Sequence, residues 1–129
     1  TPKKLRKLSY KQFRECGIGF RDKYVKDAVV FVYKNPEFLT NLGRKKTDKA
    51  IDALLNFTGI GMKVASCILL FGYGKLDVFP VDTWVKKNMS EVYPEVKNDI
   101  KSISQFAKNK YGEYSGLAIQ YMFNASRNK

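Results

Sequence analysis

Residues Leu54 to Ala65 read Leu-Leu-Asn-Phe-Thr-Gly-Ile-Gly-Met-Lys-Val-Ala, and this stretch limits the fold more than any other part of the chain. An apolar helical segment runs into Gly59-Ile60-Gly61, and a second, nearly all-apolar helix begins at Met62. Two glycines around one apolar residue make a tight turn whose backbone N–H groups can face outward. A helix N-terminus adds partial positive charge at the same point. A Cβ at either glycine would strain the turn and block close approach of a phosphate. The turn is a phosphate cradle with Lys63 beside it.

Helical spacing governs the remainder. Tyr24, Ala28, Phe31 and Val32 recur at helical intervals, which predicts an amphipathic helix from about Asp22 to Tyr33. Asn35-Pro36 reads as a cap followed by proline in a first turn, opening a short helix to about Leu42 that Gly43 ends. Thr47 or Asp48 is the expected cap of the next helix, which presents Ile51, Leu54 and Leu55 on one face. Met62 to Phe71 reads as a buried helix, Lys75 to Val81 as an extended link, and Asp82 as the cap of a helix to about Met89. Lys97 to Lys110, with Ile100, Ile103, Phe106 and Ala107 inward, and Ser115 to Ser126 complete an all-α chain without repeats. The expected organisation is one helical domain over residues 1–129, with the two-helix hairpin at about 47–71. A chain that opens on Thr1, not methionine, reads as a piece of a longer protein.

Charge narrows the partners. With 24 Lys and Arg against 12 Asp and Glu, the formal net charge is +12, which points to a polyanion, nucleic acid ahead of a membrane surface. The plainer alternative is a solvated lysine-rich face. Cys16 and Cys67 are the only cysteines and lie far apart, which leaves no disulfide framework, zinc finger or four-cysteine iron–sulfur cluster. An intracellular protein in cytoplasm or nucleoid, not bound to membranes, is the expectation. Without histidine, catalysis would fall to Lys, Asp, Glu, Tyr, Cys or Ser.

Lys63 and Asp82 are the candidate catalytic pair. Lysine near a helix start is usually a solvated charge. Here the positive helix end, the neighbouring cations and the buried helix that follows all favour the neutral amine. Such an amine can attack a sugar C1′ and form a Schiff base. An aspartate after Pro-Val at a helix start is most often only an N-cap. Its distance of roughly twenty residues from Lys63, across one buried helix and a loop, lets both reach one pocket.

Together these residues resemble the helix–hairpin–helix DNA glycosylase superfamily, with Lys63 on the lysine of its bifunctional members and Asp82 on its aspartate. Three segments resemble the 8-oxoguanine DNA glycosylase/AP lyase branch: Gly17 to Val25 (Gly-Ile-Gly-Phe-Arg-Asp-Lys-Tyr-Val), Lys63 to Cys67 (Lys-Val-Ala-Ser-Cys) and Gly116 to Phe123. The resemblance implies part of an all-α catalytic domain, base-excision repair of oxidised guanine and strand cleavage by β-elimination. It implies backbone contacts at Gly59, Gly61 and Val64. Phe20 would be the duplex wedge, where a plain core phenylalanine is the alternative, and Arg21 would meet the partner base. Cys67, Phe71, Gln120 and Phe123 would line the base pocket; a small buried hydrophobe is the other reading of Cys67. The implied partner is double-stranded DNA with a damaged base, bound by a monomer. No catalytic metal or redox cofactor is implied, though a structural cation on hairpin carbonyls is. The chain departs from the pattern at Ile119, where the branch has a base-reading glutamine, and at Trp84, where a histidine is common. Gln120 stands next to Ile119 but about 100° round the helix. A glycosylase for another oxidised base and a non-catalytic DNA-binding module are the alternatives.

Overall fold

Helical spacing becomes nine α-helices among the described residues of the computed structural model, which covers residues 1–127. They are α1 (Pro2–Leu5), α2 (Tyr10–Phe13), α3 (Asp22–Lys34), α4 (Phe38–Arg44), α5 (Thr47–Leu55), α6 (Met62–Cys67), α7 (Thr83–Val92), α8 (Ile100–Tyr111) and α9 (Ser115–Arg127). No strand occurs among the described residues, so the chain is all-α there. The last two residues of the expected domain lie outside them. No helix described is long and apolar enough to cross a membrane.

The core is built around α6 and the wide turn Ile68–Gly72 that continues it. Ala65 and Leu69 are fully buried there, in one cluster with Leu42 of α4, Ala50 and Leu54 of α5, Met89 of α7, Ile103 of α8 and Ile119 of α9. The middle of this stretch, from Ala65 to Leu70, is buried or half-buried and carries few polar residues, while Met62, Lys63, Val64 and Phe71 at its two ends stay exposed. The extended link after it is tied to α9 by the Gly116 N–H, which donates to the Leu76 carbonyl at 2.6 Å.

Before α3, the chain folds back through a wide turn at Arg14–Ile18 and a tight one at Gly19–Arg21. One ion pair, between exposed Arg14 and buried Asp22, holds this loop. Asp22, only 1% exposed, accepts from Arg14 Nε at 3.1 Å and Nη2 at 2.6 Å, and from the Lys23 N–H at 2.9 Å. The Arg14 hydrogen bonds, helped by the Lys23 N–H, hold the Asp22 carboxyl below the usual carboxylate range against the opposing effect of burial.

Several local expectations are corrected. Asn35 ends α3, its side chain donating to the Phe31 carbonyl at 2.9 Å, and the next helix starts at Phe38. Gly43 lies inside α4, where a Cβ would stand 2.9 Å from the Tyr73 ring; it allows close packing and does not stop the helix. Lys46, not Thr47 or Asp48, occupies the cap position of α5, where the backbone is still extended at φ −60° and ψ 151°; the Thr47 hydroxyl donates across the fold to Asp77 at 2.8 Å. Leu55 and Ile100 face outward, at 39% and 41% exposed, since each sits at a helix end beyond the packed face.

The hairpin depends on Gly59. Its φ is +85°, and a Cβ there would lie 2.4 Å from the Tyr24 ring of α3. Gly61 differs: its φ is −101°, and an added Cβ would meet nothing within 4 Å. Gly59→Ala is therefore expected to lower unfolding free energy by about 1–3 kcal/mol, and Gly61→Ala by less than about 1 kcal/mol, measured by urea denaturation. Asp22 sets a pH signature. A depressed folded-state value contributes stability above about pH 4, lost as pH falls through that folded value. The melting temperature should therefore drop on acidification, with a shallower slope in Asp22→Asn.

Candidate active site

Lys63, Cys67, Phe71, Asp82, Gln120 and Phe123 line one cavity of about 190 Å³. Four elements contribute. The first turn of α6 carries exposed Lys63, and half-buried Cys67 follows one turn later on the same face. Phe71 stands 66% exposed at the end of the turn after α6. Asp82 begins α7, and α9 supplies Ile119, Gln120 and Phe123. The cavity is smaller than the roughly 300–1,000 Å³ of a complete small-molecule pocket, so these elements form only part of an enclosure.

Asp82 both caps α7 and faces the cavity. Its Oδ1 accepts the Val85 N–H at 2.9 Å. A carboxylate has acceptor sites on both oxygens, and one bond leaves most of that capacity available. Among the described residues no ion pair joins Asp82 to Lys63, although both face the same space.

Ile119 and Gln120 border the cavity together, Gln120 as expected of a pocket residue. Ile119, 5% exposed, forms the floor of the cavity, while exposed Gln120 reaches its rim. Residues about 100° apart on a helix can both border a cavity that lies across their face. Trp84 stacks edge-on against Phe123, with ring centroids 5.2 Å apart, and gives the cavity an aromatic wall. Pro80, Trp84 and Val85 also line it. Pro80 and Val85 carried no signal in the sequence, because apolar wall residues have the same pattern as core residues.

The second group gathers beside the hairpin. Phe20, Arg21, Tyr24, Gly59, Ile60 and Val64 border a groove of about 420 Å³. Phe20 is 71% exposed, which excludes the core reading of that residue. The Arg21 guanidinium lies over its ring, 4.7 Å from the centroid. The first intrahelical bond of α6 runs from the Ala65 N–H to the Gly61 carbonyl at 2.9 Å, and Gly61 offers no side-chain cap. The N–H groups of Met62, Lys63 and Val64 are thus left at an uncapped helix start. Oxygen donors for a cation exist in the turn as backbone carbonyls; that of Phe57 already accepts the Ile60 N–H at 3.1 Å. The described residues contain no cluster of three His, Cys, Asp or Glu suited to a metal.

An uncapped glycine turn between two packed helices forms a helix–hairpin–helix element in an all-α fold, with a lysine and an aspartate converging beside it. The similarities to known proteins agree. The chain is 33% identical over 120 residues to a probable N-glycosylase/DNA lyase of Methanothermobacter thermautotrophicus, covering 93% of this chain and 38% of that protein. It superposes on the 8-oxoguanine glycosylase/lyase of Clostridium acetobutylicum, solved with double-stranded DNA containing cytosine opposite 8-oxoguanine. There the TM-score is 0.89 and the identity 41%, over 99% of this chain and 44% of that one. A structure of MBOgg1 with a low-affinity DNA ligand gives a TM-score of 0.92 at 33% identity, over the same shares of the two chains. No protein-family model matches. Sequence and fold therefore match the 8-oxoguanine branch of the helix–hairpin–helix DNA glycosylases. The chain spans under half the length of these relatives.

The double duty of Asp82 has a measurable signature. Asp82→Ala should cost about 0.5–2 kcal/mol of stability through the lost cap, while Asp82→Asn, which still caps, should cost a few tenths. Urea unfolding of the two variants separates the cap from the charge.

Proposed function

We propose that the protein excises oxidised guanine from double-stranded DNA and cleaves the strand at the resulting site, as a bifunctional N-glycosylase and AP lyase. The observation that carries this reading is the convergence of Lys63 and Asp82 on one cavity beside an uncapped hairpin. The names and DNA complexes of the similar proteins support it.

The chemistry follows from the residues. Basic side chains draw the chain to DNA. The N–H groups at the start of α6, with Gly61 beside them, grip a backbone phosphate. Exposed Phe20 enters the stack where the target base leaves, and Arg21 meets the partner base. The extruded base enters the cavity against Cys67, Phe71 and Phe123, with Gln120 at its rim. The Lys63 Nζ lone pair attacks C1′ as the bond from C1′ to the base breaks, and the base leaves with its electron pair and gains a proton. The negative charge of Asp82 stabilises the cationic sugar that develops. Loss of the amine proton and opening of the sugar ring give a Schiff base between Nζ and C1′. Removal of a C2′ proton then expels the 3′ phosphate by β-elimination. A structural cation on the hairpin carbonyls would add positive charge beside the gripped phosphate. We assign the protein to an intracellular compartment that contains DNA, acting as a monomer.

Ile119 leaves one alternative substrate, another oxidised base, in play. The resemblance puts a base-reading glutamine at this position, and the buried Ile119 side chain offers no hydrogen bond to the edge of guanine.

Borohydride trapping tests the mechanism. The product of the complete reading frame, incubated with a duplex containing 8-oxoguanine, should form a covalent adduct that Lys63→Gln abolishes. Asp82→Asn should slow base release about 10²–10³-fold. No adduct, or one that survives Lys63→Gln, sinks the mechanism; a stronger adduct with a thymine glycol duplex moves the substrate to oxidised pyrimidines. Gly61→Ala should weaken duplex binding at least severalfold while leaving folding nearly intact.

A further inference from the structure

Three successive residues of α6 point into three different grooves. Lys63 faces the base cavity, Val64 the wedge groove, and Met62 a separate groove of about 460 Å³ against α8. At about 100° per residue, Met62 and Val64 lie on opposite flanks of the hairpin tip. A strand gripped at that tip, with the wedge on the Val64 flank, has the Met62 flank to pass along on the other side.

That flank has the chemistry of a phosphate-binding face. Besides Met62 and Ile100, its lining is Lys101, Ser104, Gln105 and Lys108, at helical spacing on one side of α8. It contains two cations, two neutral hydrogen-bonding groups and no carboxylate. The whole of α8 lacks Asp and Glu, although its N-cap is Asp99. Both lysines are exposed, and neither is engaged in an ion pair among the described residues. The remaining lysine of α8, Lys110, lies over the Tyr93 and Phe106 rings, 4.7 and 5.6 Å from their centroids. The face also has a boundary. Beyond Lys108 lies a larger groove in which Lys46, Lys75 and Lys108 are matched by Asp48, Asp77 and Glu113, so phosphate attraction fades there.

We propose that the Lys101–Lys108 face of α8 binds the sugar–phosphate backbone of the DNA strand held by the hairpin, on the flank away from the wedge. The proposal rests on the reading of the hairpin as a DNA clamp. Each lysine neutralises one phosphate and releases its counterions, which gives the contact a salt signature.

The test is the salt dependence of binding to an undamaged duplex, followed by fluorescence anisotropy between about 50 and 200 mM salt. In Lys101→Gln/Lys108→Gln the slope of log K against log salt should shrink by about 1.8, roughly 0.9 per phosphate. Lys101→Arg/Lys108→Arg should restore the slope. Lys97→Gln/Lys110→Gln removes the same charge from another side and should leave the slope nearly unchanged. Melting curves establish that each variant is folded, and a glutamine variant that unfolds is replaced by the two single substitutions, each expected to shrink the slope by about 0.9. An unchanged slope, or equal losses in the two glutamine pairs, overturns the α8 assignment while leaving the hairpin reading intact. A wild-type chain that binds no duplex overturns the hairpin reading itself.

Discussion

Contact between Gly59 and the Tyr24 ring organises the hairpin and what surrounds it. With φ at +85°, the backbone at Gly59 turns sharply enough to bring α6 back alongside α5. The missing Cβ lets the turn sit directly on an aromatic ring of α3. Tyr24 stands one helical turn after the Phe20-Arg21 segment. One contact thus ties the uncapped start of α6 to the element that presents the exposed phenylalanine. The Arg14–Asp22 pair, buried on its carboxylate side, fixes the other end of that segment. Side chains far apart in the chain share a groove because both of its walls are anchored.

The cavity shared by Lys63 and Asp82 is organised differently. Its polar groups are few and sit at helix ends: Lys63 in the first turn of α6 and Asp82 at the cap of α7. Helix ends are where unpaired backbone groups and partial charges lie. Placing both residues there keeps them out of the buried cluster while α6 itself passes through it. The aromatic wall of Trp84 and Phe123 closes one side without adding polarity.

Much of this was legible in the sequence because it is local. The glycine turn, the buried helix after it and the Asp82 cap depend on neighbouring residues, and each stands where its pattern puts it. The misplaced features depended on distant partners. Gly43 carries the ordinary signal of a helix stop, but a ring from Tyr73, thirty positions on, makes it a packing glycine inside α4. Thr47 looks like a cap, but the helix already includes it, and its hydroxyl donates to distant Asp77. Gln120 borders the pocket as expected although it stands about 100° from Ile119, because a helical wheel gives directions around one axis, not the width of the cavity.

By itself the sequence determined the helical class, the hairpin, the basic character and the identity of the chemical groups, because propensity, capping and charge are properties of short segments. Only the tertiary structure decided which groups meet: that Lys63 and Asp82 share a cavity, that Ile119 is its floor and Gln120 its rim, and that Met62, Lys63 and Val64 open onto three separate grooves. The reason is that the relative placement of α3, α6, α7, α8 and α9 is set by how their apolar faces fill one buried cluster. That packing joins residues whose separation along the chain carries no record of the contact.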